Sequence, residues 1–287
     1  MSGPDFLCIG AQKAGTTWLY ANLGHHPAVW LPPVKEIHYF DRPSWQPLLV
    51  QAVVPKGPHF RQLVLQHLKE LKNRPYKKWH FHFLLLPRSE RWYTRLFSPS
   101  LGRLAGDITP AYSRLSAQGV ARIHRLLPEA KIIYILRNPV ERMWSYTAMY
   151  FYRWHGKQAN QLPLTDIERV LLKPENLRNG DYVTTWQTWR KFYSSRRLYV
   201  GFFEQLVQHP AEFLKEIYGF LEIDAAAQNI PENVAQKQHV GPGVTIPPHW
   251  ARYLTQYYYP VLVDLHKQFD NAHTASWLVQ AEEVLQP

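Results

Sequence analysis

The 287-residue chain contains a single cysteine, Cys8, so it can form no internal disulfide. That excludes the small disulfide-stapled secreted folds and suits a reducing, cytoplasmic setting, with Cys8 as a small core residue in an apolar run. Long hydrophobic runs are missing too. Nothing approaches the about 20 uninterrupted apolar residues that cross a bilayer, so no membrane span is expected. The first residues, Met1-Ser2-Gly3-Pro4-Asp5, lack the charged and long apolar regions of a secretory leader. There is no internal repeat and no low-complexity linker. No Cys/His cluster has the spacing of a metal site, and neither a metal nor a redox cofactor is expected. Acidic residues are few: 22 Asp and Glu stand against 33 Lys and Arg, a formal charge of +11. Such a balance suits an anionic partner. The densest basic clusters, Lys77-Lys78 and Arg196-Arg197, are only dipeptides, so a solvated basic surface is expected and no nucleic-acid partner.

What is present is enough apolar and aromatic side chain, 46% and 14%, to bury a sizeable core. Four runs read as strands, at 6–9, 103–108, 131–136 and 198–203. Helical patterns cover 17–23, 117–127, 140–152, 182–193, 211–221 and, after a Pro-rich loop, 250–269. Strands alternating with helices and long crossovers predict one α/β domain whose central parallel sheet is flanked by helices. The stretch 42–100, rich in Pro, Trp, Arg and Lys with a helical pattern at 60–71, reads as an insertion within that domain.

The first strand runs into Gly10-Ala11-Gln12-Lys13-Ala14-Gly15-Thr16-Thr17-Trp18 and then a helix. Such a strand, glycine loop and helix cradle a phosphate, because free backbone amides and the helix dipole converge on one anion. Gly10 and Gly15 have P-loop spacing, yet Thr16 stands where an ATP-binding loop carries lysine. An ATP-dependent kinase would also need a metal-binding carboxylate after a strand, for which Asp107 is the only claimant. A non-catalytic nucleotide or nucleic-acid binder is favoured by charge alone.

Lys13-Ala14-Gly15-Thr16-Thr17-Trp18 resembles the 5′-phosphosulfate loop of sulfotransferases that use 3′-phosphoadenosine 5′-phosphosulfate (PAPS). The resemblance implies that Lys13 contacts the bridging oxygen between phosphate and sulfonate. It also implies that Ala14, Gly15, Thr16 and Thr17 hold the 5′-phosphate and that Trp18 stacks on adenine; otherwise Trp18 is a core aromatic on the first helix.

At the end of the run 131–136, Asn138 is a good N-cap and Pro139 a good first helical residue. Ser145 follows two turns later, so Arg137 and Ser145 can grip one phosphate together. This is similar to the family's 3′-phosphate signature. Further upstream, Lys35-Glu36-Ile37-His38-Tyr39-Phe40-Asp41, if extended, puts Glu36 and His38 on one face as a base and its partner. The segment is similar to the one that carries the catalytic Glu and His in heparan-sulfate-type members. The resemblance implies Glu36 as general base, His38 as its partner and Lys13 at the leaving group, with Lys35, Asp41 and Thr109 near donor or acceptor.

Gly106-Asp107-Ile108-Thr109-Pro110-Ala111-Tyr112 resembles a Glu-Lys-Thr-Pro-x-Tyr element, with Ile108 where glycosaminoglycan-modifying members carry lysine. That departure favours a neutral or weakly charged alcohol. The loop 237–243 lacks the family's cysteine pair, and Tyr182 reads either as an adenine neighbour or as a buried helix aromatic. The implied activity is transfer of a sulfonate from PAPS to the hydroxyl of a carbohydrate or small molecule. Oligomeric state is not legible.

Overall fold

Five short stretches of chain lie side by side in a computed structural model that describes residues 3–42, 44–48, 76–157, 163–236 and 245–286. They are β1 (Phe6–Gly10), β2 (Val29–Trp30), β3 (Leu104–Ile108), β4 (Lys131–Leu136) and β5 (Leu198–Phe202). Their order is β2-β3-β1-β4-β5 and every pairing is parallel. β1 is buried along its whole length and β4 beyond Lys131, as strands covered on both faces must be. β3 fits against β1 because Gly106 faces the Phe6 ring, where an added Cβ would come within 2.0 Å of a ring carbon. The four expected strands stand in their places. The edge strand β2 is two residues long, too short to carry a period.

The helices are α1 (Thr16–Leu23), α2 (Lys77–Leu85), α3 (Glu90–Arg95), α4 (Ala117–Leu126), α5 (Pro139–His155), α6 (Leu164–Leu171) and α7 (Pro174–Leu177). They continue as α8 (Tyr182–Arg190), α9 (Phe203–Gln208), α10 (Pro210–Leu221), α11 (Pro248–Phe269) and α12 (Ala272–Leu285). Leu19 and Leu23 of α1, Val120 and Ile123 of α4, and Leu214 and Ile217 of α10 join the strand residues in one core. A second cluster joins Met143 and Trp144 of α5, Leu171 of α6 and Leu254 of α11. Among the described residues no helix is long and apolar enough to cross a membrane.

The described part of the stretch 42–100 packs into the domain: Trp79 and Phe83 of α2, with Trp92 and Tyr93 of α3, belong to the main core. α12 was not anticipated. Asn271 caps it with a reciprocal box through Thr274, where the usual signal is Glu or Gln. The helical pattern at 60–71 and the loop 237–243 lie outside the described residues.

Candidate active site

Beyond β1 the chain turns through Ala11–Gly15 into α1. Gly15 caps that helix at φ 85°, and an added Cβ would sit 2.6 Å from Leu206 Cδ1, so both backbone and space demand glycine. Leu19 donates its amide to the Gly15 carbonyl at 3.0 Å. The amides before it, in the first turn, are the ones a helix leaves for an outside acceptor. Lys13 is held at φ 71° in this loop. Burial, followed by the charges of Arg137, Arg153 and Lys35, pulls its ammonium down to about 8.

Arg137 leaves β4 just before Asn138, whose side chain accepts from the Val140 amide at 3.0 Å and caps α5. One arm of the Arg137 guanidinium donates to the Lys13 carbonyl at 3.2 Å, joining the two expected anion sites across the carboxyl ends of β1 and β4. Its Nη2 and Nε face the Glu141 carboxylate at 3.1 and 3.4 Å, and its plane lies 4.5 Å from the Phe203 ring centre. Ser145 is half-buried on α5.

The segment from Lys35 to Asp41 is not extended. Glu36 and His38 have φ of 66° and 55°, and this left-handed path brings them together in place of strand alternation. Glu36 Oε2 is 3.3 Å from His38 Nε2, and His38 Nδ1 is 2.8 Å from Asp41 Oδ2. Lys35 Nζ donates to Glu36 Oε1 at 2.8 Å and to Thr16 Oγ1 at 3.3 Å, tying the segment to the glycine loop. Burial pushes the Glu36 carboxyl up, but the His38 hydrogen bond and Lys35 outweigh it and bring it down to about 2. Burial likewise disfavours a charged His38, and its bonds to Asp41 and Glu36 outweigh that and raise it. Flanked by carboxylate oxygens of Glu36 and Asp41, the His38 ring is placed where its protonated form is favoured.

A buried network supports the segment. The Asp107 carboxylate accepts from Thr109 at 2.7 Å, Tyr93 at 2.8 Å and Tyr112 at 3.0 Å. The Tyr112 hydroxyl in turn accepts from the Tyr39 amide at 3.2 Å. Tyr39 stacks on Tyr93 with centroids 4.9 Å apart, and Arg122 donates to the Tyr39 hydroxyl at 2.6 Å.

Several expectations are corrected here. Thr109 is fully buried and its hydroxyl donates to Asp107, so in this structure the hydroxyl is turned into the supporting network. Asp107 is enclosed by three hydroxyl donors and offers no open position to the metal ion of a kinase. Ile108 packs in the core, so its lack of charge concerns packing and says nothing of the acceptor. Trp18 is 4% exposed, with its indole N–H on the Val234 carbonyl at 2.7 Å and Phe213 beside it. In this structure it packs as a core aromatic on α1. Tyr182 is likewise buried. Sequence reasoning missed Arg88, Tyr93 and Arg122, which reach the segment from elsewhere. For Arg88 and Tyr93 the only signal was the wealth of Arg and aromatics in 42–100, and Arg122 on α4 gave none.

The model of the sulfotransferase family matches residues 4–227. The human bifunctional heparan sulfate N-deacetylase/N-sulfotransferase 2 is 27% identical over 240 residues, covering 77% of this chain and 22% of that protein. Its Drosophila melanogaster counterpart is also 27% identical over 240 residues, 77% of this chain and 20% of that one. The chain thus spans about a fifth of the length of these curated relatives. Among solved structures, a sulfotransferase from Alicyclobacillus acidocaldarius matches with a TM-score of 0.66 at 21% identity, over 96% of this chain and 99% of that one. The sulfotransferase domain of the Synechococcus PCC 7002 olefin synthase matches with a TM-score of 0.55 at 17% identity, over 90% and 96%. These likenesses carry the fold, and the match over residues 4–227 carries the family. The chain belongs to the sulfotransferase family.

Proposed function

We propose that this chain transfers a sulfonate group from PAPS to an acceptor hydroxyl on a carbohydrate or small molecule, with Glu36 as general base. The observation that carries the reading is the position of Lys35 Nζ, in contact with both Thr16 Oγ1 and Glu36 Oε1. One side chain thereby joins the phosphate loop to the carboxylate that would take the acceptor proton. The residues fit an anionic donor: Arg137 Nη2 and Nε already converge on one oxygen of the Glu141 carboxylate, so this guanidinium is placed to hold an anion.

PAPS supplies the sulfonate group. Lys13 and the amides of the glycine loop hold positive potential where negative charge grows on the departing phosphate. Glu36 receives the proton of the attacking hydroxyl. At about 2 it is a weak base, but it is fully ionised at neutral pH and oriented by two partners. His38, fixed by Asp41, keeps that carboxylate aimed.

The test is transfer from radiolabelled PAPS to a panel of neutral glycans, phenols, lipids and heparan-type chains with free amines. Turnover on hydroxyls is expected, and Glu36→Gln should lower kcat by about 10²–10⁴-fold while donor binding stays normal. Turnover confined to amines would replace the acceptor half of the reading, a result to which the N-sulfotransferase relatives give weight. Undiminished kcat in Glu36→Gln at saturating substrates would remove Glu36 as the base.

A further inference from the structure

Arg88 lies between α2 and α3, in the stretch that sequence alone reads as an insertion. It is 5% exposed, yet its hydrogen bonds go to two carbonyls and not to a carboxylate: Nη2 donates to His38 and Nη1 to Arg42, the latter at 3.1 Å. Its guanidinium also lies 5.3 Å from the Trp92 ring and 5.8 Å from the Tyr39 ring. The Arg88 amide donates to the Trp45 carbonyl at 2.9 Å, a third tie to the same length of chain. Among the described residues no carboxylate forms an ion pair with this guanidinium, and burying it so is costly, so its two bonds must maintain something that simpler packing would not. The two carbonyls bracket Asp41, and the first belongs to His38, whose φ of 55° is a conformation that L residues avoid. A fork that spans residues 38 and 42 fixes the distance across which His38 Nδ1 meets Asp41 Oδ2 at 2.8 Å.

We infer that Arg88 is a positioning residue, clamping the backbone on both sides of the His38–Asp41 pair so that His38 stays aimed at Glu36. The inference rests on reading Glu36 and His38 as the proton-handling pair. Tyr112 reaches the Tyr39 amide and Arg122 the Tyr39 hydroxyl, but Arg88 holds the carbonyls on either side of Asp41.

The test follows the His38 imidazole by NMR, its resonance assigned with His38→Gln. The charged groups around that ring are Glu36, Asp41 and Arg42 on its own segment, Lys35 through Glu36, Asp107 from β3, and Arg88 itself. In the intact protein His38 titrates above the ordinary histidine value, because Asp41 and Glu36 outweigh its burial. In Arg88→Ala the midpoint is expected to fall towards the ordinary value of about 6.5, while 3′-phosphoadenosine 5′-phosphate binds as in the parent protein. Methylguanidinium at millimolar concentration should restore the midpoint, and Arg88→Lys, which cannot span both carbonyls, should give an intermediate one. An Arg88→Ala protein with normal bisphosphate binding and an unmoved His38 midpoint overturns the clamp. If Arg88→Ala does not fold, an unmoved midpoint in Arg88→Lys does the same. The underlying reading fails by a separate measurement: retained kcat in Glu36→Gln sinks the proton-handling pair whatever His38 does.

Discussion

Binding of a phosphate-bearing nucleotide to the glycine loop should take up protons, and the amount follows from the state of Lys13. In the free protein, burial and the neighbouring cations bring its ammonium down to about 8. An anion bound beside it offsets both effects and keeps the lysine charged. At pH 8 the free lysine is about half neutral, so binding should draw in about 0.5 proton per site. At pH 9 the uptake should reach about 0.9, and at pH 6.5 it should be close to nil. Affinity should weaken by up to about tenfold per pH unit above pH 8, until the bound form also titrates. The second ionisation of a phosphate lies near about 6, so the ligand itself is silent at pH 8 and above, where the uptake is read. Calorimetry of 3′-phosphoadenosine 5′-phosphate binding in two buffers of different ionisation enthalpy reads the uptake directly. Lys13→Met should abolish it. Equal enthalpies in both buffers at pH 9, or an uptake that survives Lys13→Met, would refute the argument. The depressed value also acts on stability, with the sign of a buried cation. The penalty is fully present below about pH 8 and is relieved as pH rises towards the ordinary lysine value of 10.5.

Arg137→Ala should remove the preference for a 3′-phosphate, weakening the bisphosphate relative to AMP by about 1.5–3 kcal/mol. An equal loss for both ligands in a titration would detach Arg137 from the 3′ position. Gly15→Ala meets a φ of 85° and a Leu206 methyl 2.6 Å away. It should lower unfolding stability by at least about 1–2 kcal/mol in a denaturant melt, and an unchanged midpoint would mean that the loop relaxes freely.

Local chemistry made much of this protein legible in its sequence. Apolar runs at β1, β3, β4 and β5 can do little but enter a covered sheet. Asn138 followed by Pro139 is a helix start wherever it occurs, and Gly15 is the residue that a left-handed cap demands. The glycine loop and the Arg137 turn were visible because each is a short contiguous stretch whose geometry its own residues impose. The active segment was only half visible. Glu36 and His38 stood out by type, but the alternation that would have paired them is absent, and they meet because the backbone is bent left-handed at both. Trp18 followed the same rule: its sequence position suits either a nucleotide or the core, and the Val234 carbonyl that takes its indole N–H lies 216 residues away. What holds the bend comes from far along the chain, Arg88 from 50 residues beyond His38 and Tyr112 from 73 beyond Tyr39. Contacts at such separation leave no period or spacing in the sequence. They arise only when α2, α3 and the turn after β3 pack, and so tertiary structure alone decided how the segment carrying Glu36 and His38 is held.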